Sequence, residues 1–115
     1  MGHIIVILFP VKIVAGELVI APQNTVAKVG DTAYFNCSTN LSSSDINWRH
    51  GSKYIYSGDF IIEPYDVRFE IDRNASDGSY NLVIHSVEPD DAGEYICIEV
   101  KAQATRRSAR LIVLG

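Results

Sequence analysis

The sequence predicts an all-β chain folded as a two-sheet antiparallel sandwich, and three observations carry that prediction. Short apolar or alternating runs, about nine of them, recur at regular spacing along the 115 residues. Turn signals built on Gly, Pro, Asn and Asp separate them. No long stretch keeps a helical period.

The elements follow in order. Leu18 to Ala21 is an apolar strand ended by Pro22, and Gly30-Asp31 is a turn. From Thr32 to Cys37 the residues alternate, with Ala33, Phe35 and Cys37 on one face, as a half-buried strand requires. Asn40 to Asp45 is a polar loop, after which Ile46 and Trp48 share a face. Two short strands follow, Lys53 to Tyr56 and Phe60 to Ile62, separated by Ser57-Gly58-Asp59. Val67 to Ile71 reads as a strand with Phe69 and Ile71 inward. The next strand puts Tyr80, Leu82 and Ile84 on one face. Gly93 to Val100 and Ala109 to Leu114 complete the set.

Size and composition fit one domain, with 47% hydrophobic and 21% charged residues. A formal charge of −4 supplies no basic stripe for a phosphate backbone, so nucleic acid is not an expected partner. The two cysteines, Cys37 and Cys97, read on their own either as a disulfide or as two unrelated buried thiols. They cannot by themselves complete a four-ligand zinc site. Three N-x-S sequons, at Asn36, Asn40 and Asn74, favour a secreted or cell-surface chain and mark candidate glycosylation sites. Residues 1–16 are strongly apolar but too short and too interrupted, by Pro10 and Lys12, to span a bilayer. They read as a leader remnant or an edge strand preceding a domain of residues 17–115.

That domain carries Cys37, Trp48 eleven positions later, Leu82, and the run Asp91-Ala92-Gly93-Glu94-Tyr95-Ile96-Cys97. In these residues the chain resembles the immunoglobulin superfamily. The resemblance implies one inter-sheet disulfide, Cys37–Cys97, with Trp48 packed against it. It also implies a tyrosine corner at Tyr95 and an Arg68–Asp91 salt bridge. The nineteen residues between Trp48 and Arg68 leave room for C′ and C″ strands, which points to the V-type frame, with an I-type frame possible. The closing Leu111-Ile112-Val113-Leu114-Gly115 resembles an antibody joining segment, although Thr105 to Ser108 replaces the F-G-x-G bulge.

Nothing in the sequence assembles a catalytic or metal site. His3, His50 and His85 are scattered without ligand partners, and no nucleophile elbow or phosphate loop occurs. No cofactor is expected, and the expected role is binding. With Tyr95 and Cys97 inward, Ile96 and Ile98 are expected to point out on the GFCC′ sheet, beside Arg49, Tyr54 and Tyr56. Such an apolar-aromatic patch would serve pairing with another protein, either a second copy or another immunoglobulin-type ectodomain. Two other readings are a variable-type receptor domain using its end loops, where Lys101, Arg106 and Arg107 cluster, and a structural spacer.

Overall fold

The computed structural model describes residues 18–40, 45–101 and 105–115. The expectations for residues 1–16 fall outside the described residues. Eleven strands are assigned: β1 (Leu18–Ile20), β2 (Thr25–Lys28), β3 (Ala33–Phe35), β4 (Ser38–Thr39), β5 (Ile46–His50), β6 (Lys53–Ser57), β7 (Phe60–Ile61), β8 (Phe69–Asn74), β9 (Ser79–Ile84), β10 (Gly93–Glu99) and β11 (Arg106–Leu114). Single 3₁₀ turns lie at Tyr65–Val67 and Pro89–Asp91.

The strands form two sheets. In the first, β9 is central: β3 and β4 pair with it on one side and β8 on the other, while β1 joins β4. The second runs β2-β11-β10-β5-β6-β7. All pairings are antiparallel except that of β11 with β2. In immunoglobulin terms β5, β10 and β11 are C, F and G, and β6 and β7 are C′ and C″.

Alternation explains the core. Cys37, Phe35 and Leu82 point in from the first sheet, Trp48, Tyr95 and Cys97 from the second, and all are fully buried. The Cys37–Cys97 disulfide joins the two sheets across this core. Trp48 stands in register beside Cys97 and donates its indole N–H to Tyr80 O at 2.8 Å, so its polar atom is satisfied despite burial. Phe35 stacks on Tyr95 at 5.1 Å between ring centroids. Between β3 and β4 a side chain supplements the ladder: Asn81 Oδ1 accepts the Cys37 N–H at 2.9 Å, while the Cys37 carbonyl accepts the Tyr80 N–H at 2.8 Å.

A polar clamp closes the end of the sandwich below Tyr95. The Tyr95 hydroxyl donates to the Asp91 carbonyl. Arg68 donates in a fork to both Asp91 carboxylate oxygens, at 2.7 and 2.8 Å, and also reaches the His85 and Ser86 carbonyls. Asp91 Oδ2 in turn accepts the Glu88 N–H at 2.8 Å. Burial alone would raise the Asp91 pKa, but the Arg68 and Glu88 hydrogen bonds outweigh it and hold the carboxyl below its usual value. Gly93 follows at φ +129°, and a Cβ there would meet His50 Nε2 at 3.1 Å. Only glycine fits this turn without strain.

Three elements differ from the sequence expectation. Val67 belongs to a 3₁₀ turn and is exposed, because Pro64, which lacks an N–H, starts a turn that delays the strand to Phe69. Strand β11 begins at Arg106 rather than Ala109, since backbone pairing with Ile98 does not require apolar side chains. Strand β2 went unrecognised because it forms only by parallel pairing with β11, far along the chain.

Replacing Cys37 and Cys97 together by Ala is expected to cost about 4 kcal/mol on loop-closure entropy. Urea midpoints measured on the two proteins check this, and an unchanged midpoint would contradict it. Acid titration tests the clamp. Because the folded-state pKa of Asp91 is depressed, its stabilisation is complete above the unfolded value of 3.8 and is lost as pH falls through the folded value. Asp91→Asn is therefore expected to be less stable by about 3 kcal/mol at neutral pH. Its stability should also fall less steeply than the wild type's below pH 3.8, as read by thermal melts across the acid range.

Candidate functional site

The outward face of the six-stranded sheet is assembled by register. Three cross-strand rows define it. Asn47, Ile98 and Arg106 form the first. Tyr54, Arg49, Ile96 and Ser108 form the second. Glu94 stands opposite Arg110 in the third. The rows continue along the β11 edge, where Ile112 stands beside Val26 on β2 and both are exposed.

The structure changes the expected patch in two ways. Ile96 and Ile98 sit outward but are only 7% and 5% exposed. They lie on a strand with neighbours on both sides, flanked in register by Arg49 and Ser108 and by Asn47 and Arg106. The long stems of such neighbours cover a shorter central side chain. The two isoleucines are therefore the floor of the face, not exposed knobs.

Tyr56 is not on this face at all. It is 4% exposed and belongs to the core, with its ring 6.5 Å from that of Tyr80 and its hydroxyl donating to Asp59. The cause is a bulge: Trp48 pairs with Tyr56 and Arg49 with Tyr54, leaving Ile55 extra. An extra residue breaks simple alternation, so Ile55 and Tyr56 are both buried. Burial and the Asp59 carboxylate push the Tyr56 hydroxyl up to about 12.

Tyr54 remains outward and 45% exposed, with the Arg49 guanidinium carbon 5.9 Å from its ring centroid. Arg49 Nε donates to the Gly51 carbonyl at 3.1 Å, which fixes its direction. Phe60, which sequence reasoning did not single out, is 71% exposed on β7 opposite Ser57. A two-residue edge strand has no alternation to read, so no periodic signal marked it.

The sequons lie elsewhere. Asn36 is exposed between β3 and β4 on the first sheet, although the Ser38 hydroxyl of its sequon is buried. Asn74 is exposed at the β8–β9 turn, and its Oδ1 accepts from the Ser76 N–H and hydroxyl at 3.0 and 2.7 Å. Asn40 is exposed, and the rest of its sequon lies outside the described residues, as does most of the polar loop. The tip of the Lys101–Arg107 loop also lies outside them.

Sequence reasoning also passed over Glu99. The alternation that turns Tyr95 and Cys97 inward turns Glu99 inward as well, and it is fully buried with the Thr39 hydroxyl donating to it. Among the described residues no cluster of His, Cys, Asp and Glu is arranged to hold a metal. A recess at the end of the sandwich is lined by His50, Tyr65 and Glu94 together with Arg68 and Asp91, whose charges are already paired with each other.

Comparison with known proteins agrees with this architecture. A family model for the immunoglobulin I-set domain matches residues 17–113. The chain belongs to this family of the immunoglobulin superfamily. Its larger sheet nevertheless includes both strands, C′ and C″, that the variable-type frame adds. No curated protein sequence matches it. Among solved structures it is similar to Dpr1 IG1 bound to DIP-eta IG1, at a TM-score of 0.74 and 17% identity, covering 85% of this chain and 94% of that one. It is also similar to the RIG-5 IG1 homodimer, at 0.73 and 18% identity, covering 86% and 99%. The Ig1 domain of mouse SynCAM 2 superposes at 0.70 with 23% identity, covering 88% and 98%. At these identities the likeness is one of fold. No helix among the described residues is long and apolar enough to cross a membrane.

The two tyrosines should separate cleanly. Tyr56→Ala is expected to cost about 3–5 kcal/mol because it empties a core position, whereas Tyr54→Ala should stay within about 0.5 kcal/mol as an exposed site. Chemical denaturation of both variants checks the assignment, and equal losses would put Tyr56 back on the surface.

Proposed function

We propose that this domain is a non-enzymatic extracellular recognition or adhesion module, and that it docks another protein on the outer GFCC′ face of its larger sheet. One observation carries the reading. Arg49 and the half-exposed Tyr54 stand side by side on a sheet whose floor is Ile96 and Ile98, with the exposed Phe60 at its edge. Tyr and Arg over an apolar centre is the composition of binding hot spots. Both rings are exposed, Tyr54 at 45% and Phe60 at 71%.

Two further points support it. The sequons at Asn36 and Asn74 are on the other sheet, so sugar there would leave the GFCC′ face open. Similar structures include first immunoglobulin domains that are described as a homodimer, for RIG-5, and as a complex between two such domains, for Dpr1 and DIP-eta. Pairing with a second copy or with another immunoglobulin-type ectodomain are both open to a sheet face of this kind.

Surface plasmon resonance against a panel of immunoglobulin-type ectodomains, this domain included, tests the proposal. A partner's signal should fall at least about tenfold with Tyr54→Asp, as expected for losing a hot-spot anchor. The signal should survive Tyr34→Asp, which changes an exposed tyrosine on the opposite sheet. The reverse pattern would move the binding site to the other face.

A further inference from the structure

The charges of this domain are not distributed evenly. The chain is acidic overall, at −4, yet the outward residues of β5, β10 and β11 include Arg49, Arg106 and Arg110 against Glu94 alone. The opposite charge collects around β8, where Glu70 and Asp72 sit on the strand and Glu63, Asp66 and Asp77 flank it, all exposed.

Ion pairing divides the arginines in the same way. Arg68 and Arg73, on the β8 side, are each matched to carboxylates, Asp91 with Glu88 and Asp59 respectively. Among the described residues no carboxylate pairs with Arg49, Arg106 or Arg110. Even Glu94, directly across the ladder from Arg110, makes no salt bridge with it. A guanidinium is a planar fork shaped to receive a carboxylate, and here three of them stand over one sheet face without a carboxylate partner among the described residues.

We infer that the GFCC′ face is built for a partner other than a second copy of itself: a protein surface that presents carboxylates around an apolar centre. This rests on the docking face proposed above and adds the chemistry of the occupant. In a twofold self-pairing both sides supply the same patch, so two sets of Arg49, Arg106 and Arg110 would share one contact with only the Glu94 of each copy to offset them. Like charges brought together in a desolvated contact oppose association, and opposite ones steer it. The exposed rings of Tyr54 and Phe60 on the same face fit a folded protein surface better than a flexible polyanion, which would use the arginines and leave the rings idle.

The test uses this chain as its own probe. Arg49→Glu, Arg106→Glu and Arg110→Glu combined make an acidic face on an identical backbone, and thermal melting establishes that it folds. Should it not fold, the triple Arg→Gln variant is compared with wild type for loss of binding to any partner found in the ectodomain panel. By analytical ultracentrifugation, wild type alone and the acidic variant alone should each remain monomeric. Their mixture should associate and weaken roughly tenfold or more between about 50 and about 500 mM salt, as a charge-steered contact does.

Self-association of wild type that the Arg→Gln variant abolishes would overturn the inference while leaving the docking face intact. A mixture that stays monomeric while wild type binds heparin, with loss in the Arg→Gln variant, would assign the arginines to an anionic polysaccharide instead. A mixture that stays monomeric without heparin binding overturns it outright. Failure of the face itself is read separately, from the Tyr54→Asp and Tyr34→Asp comparison.

Discussion

The direction of Cys97 sets the geometry of the whole larger sheet. To meet Cys37 on the opposite sheet it must point inward, and strand alternation then sends Tyr95 and Glu99 inward and Glu94, Ile96 and Ile98 outward. Because β10 is paired on both sides, the same choice is imposed on its neighbours. Arg49 and Asn47 on β5, and Arg106, Ser108 and Arg110 on β11, are placed by register with residues whose orientation the disulfide has already decided. A one-residue slip would exchange the core for the surface.

The clamp around Asp91 does a related job at the end of the sandwich. Arg68, leaving the 3₁₀ turn before β8, reaches Asp91 and the His85 and Ser86 carbonyls, tying the first sheet to the approach of β10. The Tyr95 hydroxyl bonds the same segment from inside. Two arginines are thus committed on the β8 side, Arg68 to this clamp and Arg73 to Asp59, while Arg49, Arg106 and Arg110 pair with no carboxylate among the described residues.

Most of the sandwich was legible in the sequence because its signals are local. Alternation at Ala33-Phe35-Cys37 and at Tyr80-Leu82-Ile84 reports burial directly, and the run from Asp91 to Cys97 contains its own turn and parity. The outer face of the larger sheet was legible only in part. Arg49 and Tyr54 lie where alternation puts them, but Tyr56 does not, because a bulge at Ile55 adds one residue that nothing in Lys53 to Ser57 announces. Ile96 and Ile98 have the expected direction and not the expected exposure, since exposure depends on how long the side chains on β5 and β11 are.

By itself, then, the sequence determined the immunoglobulin sandwich and which residues of β10 face inward, because a two-residue period and a cysteine pair are properties of the chain. Tertiary structure alone decided the character of the outward face between them. It buried the two isoleucines, moved Tyr56 into the core, and gathered Arg49, Arg106 and Arg110 over one sheet of an acidic protein. Net charge sums over the chain, whereas a partner meets only the residues that strand pairing brings to one side. Pairing joins positions as distant as Arg49 and Arg110, and no local pattern records that.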